Sequence, residues 1–160
     1  MADLFDKSQW KIVSKGNMGL VGLADRHYTR QTPGSNQCCR PGVNLCLMHS
    51  SGKAAWIVWR PIPCVGRMDN LEAWECTLFR NESNLLSSSL IESAVEVTHR
   101  QWGWPPRDGL ITSVGIEETA KRRGKANQPG HCFIMAGWSP VGARKDKVWL
   151  ITPHPHKVKQ

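Results

Sequence analysis

"AWECTLFRNESNLLSSSLIESAVEVTHRQWG", residues 73–103, is the stretch that decides how the chain folds. Residues 73–80 alternate apolar and polar well enough for a half-buried strand. The period then changes. Leu86, Leu90, Ala94, Val97 and Gln101 fall on one mostly apolar helical face, which Ile91, Val95 and Trp102 broaden. Ser89 and Glu92 have capping-box spacing, and Gly103 with Pro105–Pro106 stops the helix, predicted over about 87–102. "DGLITSVGI", residues 108–116, then reads as a β-branched strand buried on both faces. Strand, helix and strand over 73–114 predict a right-handed parallel crossover.

Working outward, Lys11–Val13 reads as a short strand, and Asn17 caps a helix running toward His27. "RQTPGSNQCCRPG" is a loop by composition. "VNLCLMHS" and "KAAWIVWR" flank Ser51-Gly52, a two-residue hairpin turn. "EETAKRRGKANQPG" reads as a basic, mobile loop, "PGHCFIMAGW" as a short helix ending at Gly137, and "KVWLITP" as the last strand. The tail 153–160 is expected to fray. The order predicts a single α/β (α+β) domain over 1–160, a mixed sheet with flanking helices.

The chain carries 21 basic against 13 acidic residues, a net charge of +8, which favours a polyanionic partner such as DNA or a phosphate-bearing cofactor. No apolar run reaches the length of a membrane span, so a cytoplasmic protein with no membrane partner is expected. Of the six cysteines, Cys46, Cys76 and Cys132 read as small core residues. No Cys-x-x-Cys pair occurs and Cys38-Cys39 are adjacent, which suits tetrahedral zinc poorly, and no metal-ligating residues are predicted. A zinc site combining that pair with histidines is the alternative.

The chemistry collects at the start of the central helix. Free amides at Ser87, Ser88 and Ser89, aided by the helix dipole, form an anion site, and Arg80 adds a fork for phosphate. Asn81 completes the expected cofactor-binding set. Ordinary serine capping is the competing reading. "KRRGK", contributing Lys121, Arg122, Arg123 and Lys125, is the candidate nucleic-acid contact, a solvated loop being its alternative. Trp102 and Trp104 in "QWGWPP" could stack on a base or pack at the helix end, whereas Trp56, Trp59 and Trp74 read as core.

This strand–loop–helix, with "FIMAGWSPVG" near the end, resembles the GNAT superfamily of acyl-CoA N-acyltransferases, Gly137-Trp138 standing where that signature has Gly-Phe. A narrower resemblance is to phage Mom-like proteins, which modify adenine in DNA and shield it from restriction. It runs through "ADRHYTR" (24–30), "LFRNESNLLSSSLI" (78–91), "DGLITSV" (108–114) and "PGHCFIMAGWSPVG" (129–142). The resemblance implies an acetyl-CoA or related acyl-CoA donor, with His27 and Tyr28 as catalytic groups. It departs from the pattern in three ways: no glycine-rich pyrophosphate loop, Phe133 where a tyrosine acid is common, and Gly115 for an aspartate, with Glu117 and Glu118 nearby. Those departures keep two alternatives open: an inactive GNAT-fold protein that binds nucleic acid or a host protein, and an N-acyltransferase for a small amine or protein.

Overall fold

The computed structural model describes residues 9–27, 30, 33–35, 38–62, 71–118 and 128–152. In chain order the elements are β1 (Trp10–Val13), α1 (Met18–Asp25), β2 (Val43–His49), β3 (Ala54–Arg60), β4 (Trp74–Asn81) and α2 (Ser87–Trp102). There follow β5 (Leu110–Gly115), α3 (His131–Met135), β6 (Ser139–Arg144) and β7 (Lys147–Ile151). The strands form one sheet ordered β1-β2-β3-β4-β5-β7-β6. Every neighbouring pair is antiparallel except β4 and β5, which α2 joins as a parallel crossover. This is the expected mixed α/β sheet with flanking helices.

Each face of the sheet has its own core. Trp56, Val58, Trp74 and Cys76 pack with Leu90, Ile91, Ala94 and Val97 of α2 and with Phe133 of α3. On the opposite face Cys46, Ala55, Ile57 and Leu78 meet Leu20, Leu23 and Ala24 of α1. Strand alternation sends neighbouring residues of β2 and β3 to opposite faces, so both sides of these strands are dry. Asn17 caps α1 as expected, its Oδ1 accepting from Leu20 N at 3.1 Å. No helix among the described residues is long and apolar enough to cross a membrane.

Where α3 ends, the signature glycine has a specific task. Gly137 sits at φ +94°. Its amide donates to Ile134 O at 2.9 Å, and that of Trp138 to Phe133 O at 3.0 Å. These two bonds make a Schellman cap, and the contact such caps favour is present: Trp138 folds back on Phe133, ring centroids 4.9 Å apart. Gly130, at φ +76° before α3, is equally constrained, since a Cβ there would meet Leu150 at 2.7 Å.

Several expectations need correction. β6 was not foreseen as a strand: all six of its residues are exposed, and Pro140 and Gly142 erase any alternation. The hairpin turn spans Ser50–Lys53 rather than two residues, with His49 Nδ1 accepting from Ser51 N at 3.2 Å. The capping box at Ser89 and Glu92 does not form, because α2 begins at Ser87 with Leu86 as its N-cap. Its buried face is Ser88, Leu90, Ile91, Ala94, Val97 and Thr98, leaving Leu86 and Gln101 exposed. Residues 116–118 are helical, so Glu117 and Glu118 do not start a loop. The tail 153–160 lies outside the described residues.

Candidate active site

β4 pairs with β3 along its length, but the register slips: Ile57 faces Leu78 while Val58 faces Cys76. Thr77 is therefore an extra residue, a β-bulge that bends the strand. On its other side β4 meets β5 at three positions only, ending at Cys76 opposite Thr112. Thr112 Oγ1 donates to Cys76 O at 3.0 Å at that apex. Beyond it β5 stays with β7 as far as Gly115, while β4 runs on to Asn81 along β3. The two strands part, and a cleft of about 680 Å³ opens between them. That volume is in the range of small-molecule sites. An extended ligand can pair with the strand edges that the parting leaves open.

The loop over the cleft is a built turn rather than a glycine-rich one. Asn81 Oδ1 accepts from Ser83 N at 2.9 Å, and its Nδ2 donates to Leu85 O at 2.8 Å and Ser87 Oγ at 2.9 Å. Ser83 Oγ accepts from Leu85 N at 3.1 Å. These side-chain bonds fix "NESNLLS" without positive-φ residues. They deliver the chain to Leu86, an N-cap with no side-chain hydrogen bond, and α2 has no acid in its first turn. The first bond within the helix runs from Leu90 N to Leu86 O at 3.2 Å. The amides of Ser87, Ser88 and Ser89 precede it, at the positive end of the dipole.

Arg80, Asn81 and Ser87 line the cleft, whereas the Ser88 side chain is buried in the core and Ser89 is exposed. Asn81 is committed to the turn. Arg80 is engaged as well: its Nε donates to Glu82 Oε2 at 2.7 Å. Glu82 also takes a fork from Arg26, at 2.7 and 2.9 Å. Hydrogen bonds from Arg26, then Arg80, hold the Glu82 carboxyl down at about 2. Through Glu82, Arg80 and Arg26 form a salt bridge at the cleft rim that ties β4 to the end of α1.

At the α1 side of the cleft, His27 lies just past the helix end and lines the wall. Tyr28, Lys121, Arg122, Arg123 and Lys125 lie outside the described residues. Glu75 was not singled out in the sequence, yet its residue is 4% exposed and lines the same wall. Arg40 reaches it, Nη2 to Oε2 at 2.9 Å, while the guanidinium rests on Trp59, 5.2 Å from the ring centroid. The available signal was an acid in the middle of an otherwise apolar strand, "AWECTLF". Phe133 forms part of the opposite wall and offers no proton. Among the described residues, no group of three or more His, Cys, Asp or Glu could hold a metal ion.

The tryptophans proposed for base stacking are elsewhere. Trp102 packs on Trp74 at 5.1 Å under Arg60, and Trp104 sits beside His99; neither lines the cleft. Cys46 and Cys76 are buried as expected, but Cys132 is half-buried on the cleft wall.

A mixed sheet that splits between two parallel strands beneath a helix N-terminus defines the class: this is the GNAT fold. The chain is similar over 90% of its length, and 98% of the other, to the crystal structure of an acyl-CoA N-acyltransferase from Pseudomonas aeruginosa, with a TM-score of 0.50 and 12% identity. No family model matches the sequence. No curated protein matches it either.

Proposed function

We propose that this protein transfers an acyl group from acyl-CoA to an amine. The observation that carries this reading is the parted β4–β5 edge beneath the uncapped start of α2. The amides of Ser87–Ser89 hold the diphosphate, where dipole and donors act together. The open edge of β4 after Thr77 pairs with the amide groups of the extended arm. Acyl-CoA supplies the activated thioester carbonyl. Glu75 accepts the proton of the attacking amine once Arg40 releases it; as the C–N bond forms the C–S bond breaks, and the leaving thiolate takes a proton, with His27 and Tyr28 as the further proton-handling groups. Acetyl-CoA at about a hundred times its Kd should stabilise the fold by about 2.7 kcal/mol, read as a rise in Tm. No rise at millimolar ligand contradicts the proposal. Glu75→Gln should lower the transfer rate by about 10²-fold or more.

The finer reading is that the acceptor is a nucleic-acid base, adenine in DNA, as in the Mom-like proteins. The net charge of +8 and the basic run at 121–125 support a polyanionic acceptor. The base would leave the duplex to enter a cleft of this size. Mass spectrometry of nucleosides from cells expressing the protein tests this: an unusual adenine should appear, and should vanish with His27→Ala. Phe133 in place of a tyrosine favours a second reading, an inactive GNAT-fold protein that only binds nucleic acid or a host protein. Salt-steep DNA binding with unchanged nucleosides selects it.

A further inference from the structure

Three sulfurs meet on the α1 side of the cleft. Cys39 Sγ lies 3.6 Å from Cys46 Sγ, and Cys38 Sγ donates to Lys15 O at 3.5 Å. Cys46 belongs to β2 and is 3% exposed, whereas Cys38 and Cys39 are half-buried and line the cleft. All three are free thiols packed about the α1 core. The pair of Cys39 and Cys46 joins a loop outside regular structure to a strand inside it. Closing the gap to a bonded length of about 2 Å needs roughly 1.5 Å of movement, which a loop can supply and a strand pair cannot.

We propose that Cys39 and Cys46 are an oxidation site: hydrogen peroxide entering the cleft converts them to a disulfide that fastens the loop of residues 38–41 onto β2. The hydrogen bond from Cys39 lowers the Cys46 thiol, while Cys39, although hydrogen-bonded by Cys38, is pushed up to about 11 by its contact with Cys46 and by burial. In the first step the Cys39 sulfur attacks a peroxide oxygen. Its thiol proton passes to solvent, the O–O bond breaks, and hydroxide leaves. Cys46 sulfur then attacks the Cys39 sulfenic acid; the S–O bond breaks and the Cys46 proton leaves with that oxygen as water. Two thiols lose two electrons, the peroxide gains them, and two waters result once the hydroxide is protonated. Arg40 follows Cys39 directly and holds Glu75, so the bond also shifts the guanidinium that guards the buried carboxylate.

The test does not depend on acyl transfer. The full chain is treated with hydrogen peroxide, quenched, denatured and alkylated, and each cysteine is read by mass spectrometry. Cys39 and Cys46 should resist alkylation until a dithiol reductant is added, with the mass of two hydrogens lost and Cys38 still alkylated. Cys46→Ala should leave a sulfenic acid at Cys39, trapped by a cyclic dione, and no internal disulfide. Cys38→Ser should close as the parent does, which keeps the test intact where the buried substitution prevents folding. Full alkylation of Cys39 and Cys46 after peroxide, a Cys38–Cys39 bond, or a bond between two chains overturns the proposal.

Discussion

Below Thr77, β4 and β5 are an ordinary parallel pair. Trp74, Glu75 and Cys76 face Leu110, Ile111 and Thr112, and Trp74 meets Trp102, from the end of α2, edge to face. Above Thr77 the same two strands diverge, and their facing edges border a cleft instead of each other. The two ends of α2 repeat the contrast. Its C-terminus is closed, with Gly103 at φ +79° and its amide on His99 O at 2.8 Å, whereas its N-cap, Leu86, makes no side-chain hydrogen bond. One inserted residue and one missing cap separate the part of the crossover that holds the fold from the part that can receive a ligand. The difference teaches that stability and binding here are divided along the strands, not between them.

That division can be broken from either half. The largest expected effect is in the closed half. Trp74→Ala removes a ring that is 6% exposed and should cost about 3–5 kcal/mol of unfolding free energy, read by denaturant titration. Affinity for CoA per folded molecule should stay unchanged. A joint loss of both would show that the halves are not separable.

A smaller effect, of opposite sign on the two properties, belongs to the open half. Leu86 has extended N-cap geometry, φ −69° and ψ 121°, and is 69% exposed. Leu86→Asp supplies the missing cap at little loss of packing and should stabilise the helix by about 1 kcal/mol. The same carboxylate then occupies the amides proposed to hold the diphosphate, so Tm should rise while CoA binding weakens. Weakened binding without stabilisation would mean that the charge alone acts.

The smallest effect is at the rim. The folded Glu82 carboxyl sits at about 2 against an ordinary 4.5, so its ion pairs contribute stability in full above pH 4.5, and lose it as pH falls from there toward 2. Exposed pairs of this kind contribute at most about 1 kcal/mol. Glu82→Gln should therefore flatten the acid limb of the stability curve slightly and lose its difference from the parent near pH 2.

Much of this molecule is legible in its sequence because burial leaves a period. The run from Ser87 to Trp102, the hairpin strands around Trp56, and the Gly137 cap all carry patterns set by one buried face or one positive φ. What escapes notice leaves no local trace. β6 buries none of its residues. Thr77 sits in an alternating strand whose slip shows only against β3. Glu75 looks like one polar position among apolar ones until the parting of the strands places it in a wall. Arg80 reads as free because its partner Glu82 lies in the next turn, where two side chains point together by loop geometry alone. The Cys39–Cys46 contact is likewise made by the return of a loop to a strand, which spacing does not encode.

The account rests on the open edge of β4 and the amides of Ser87–Ser89 as the seat of a CoA diphosphate and arm. Hydrogen exchange of the backbone amides, with and without saturating CoA, reads those groups directly. Protection should rise at residues 77–81 and 87–89 and stay unchanged at 74–76, where β4 is already paired. Unchanged exchange at 87–89, or protection confined to another surface, would contradict it.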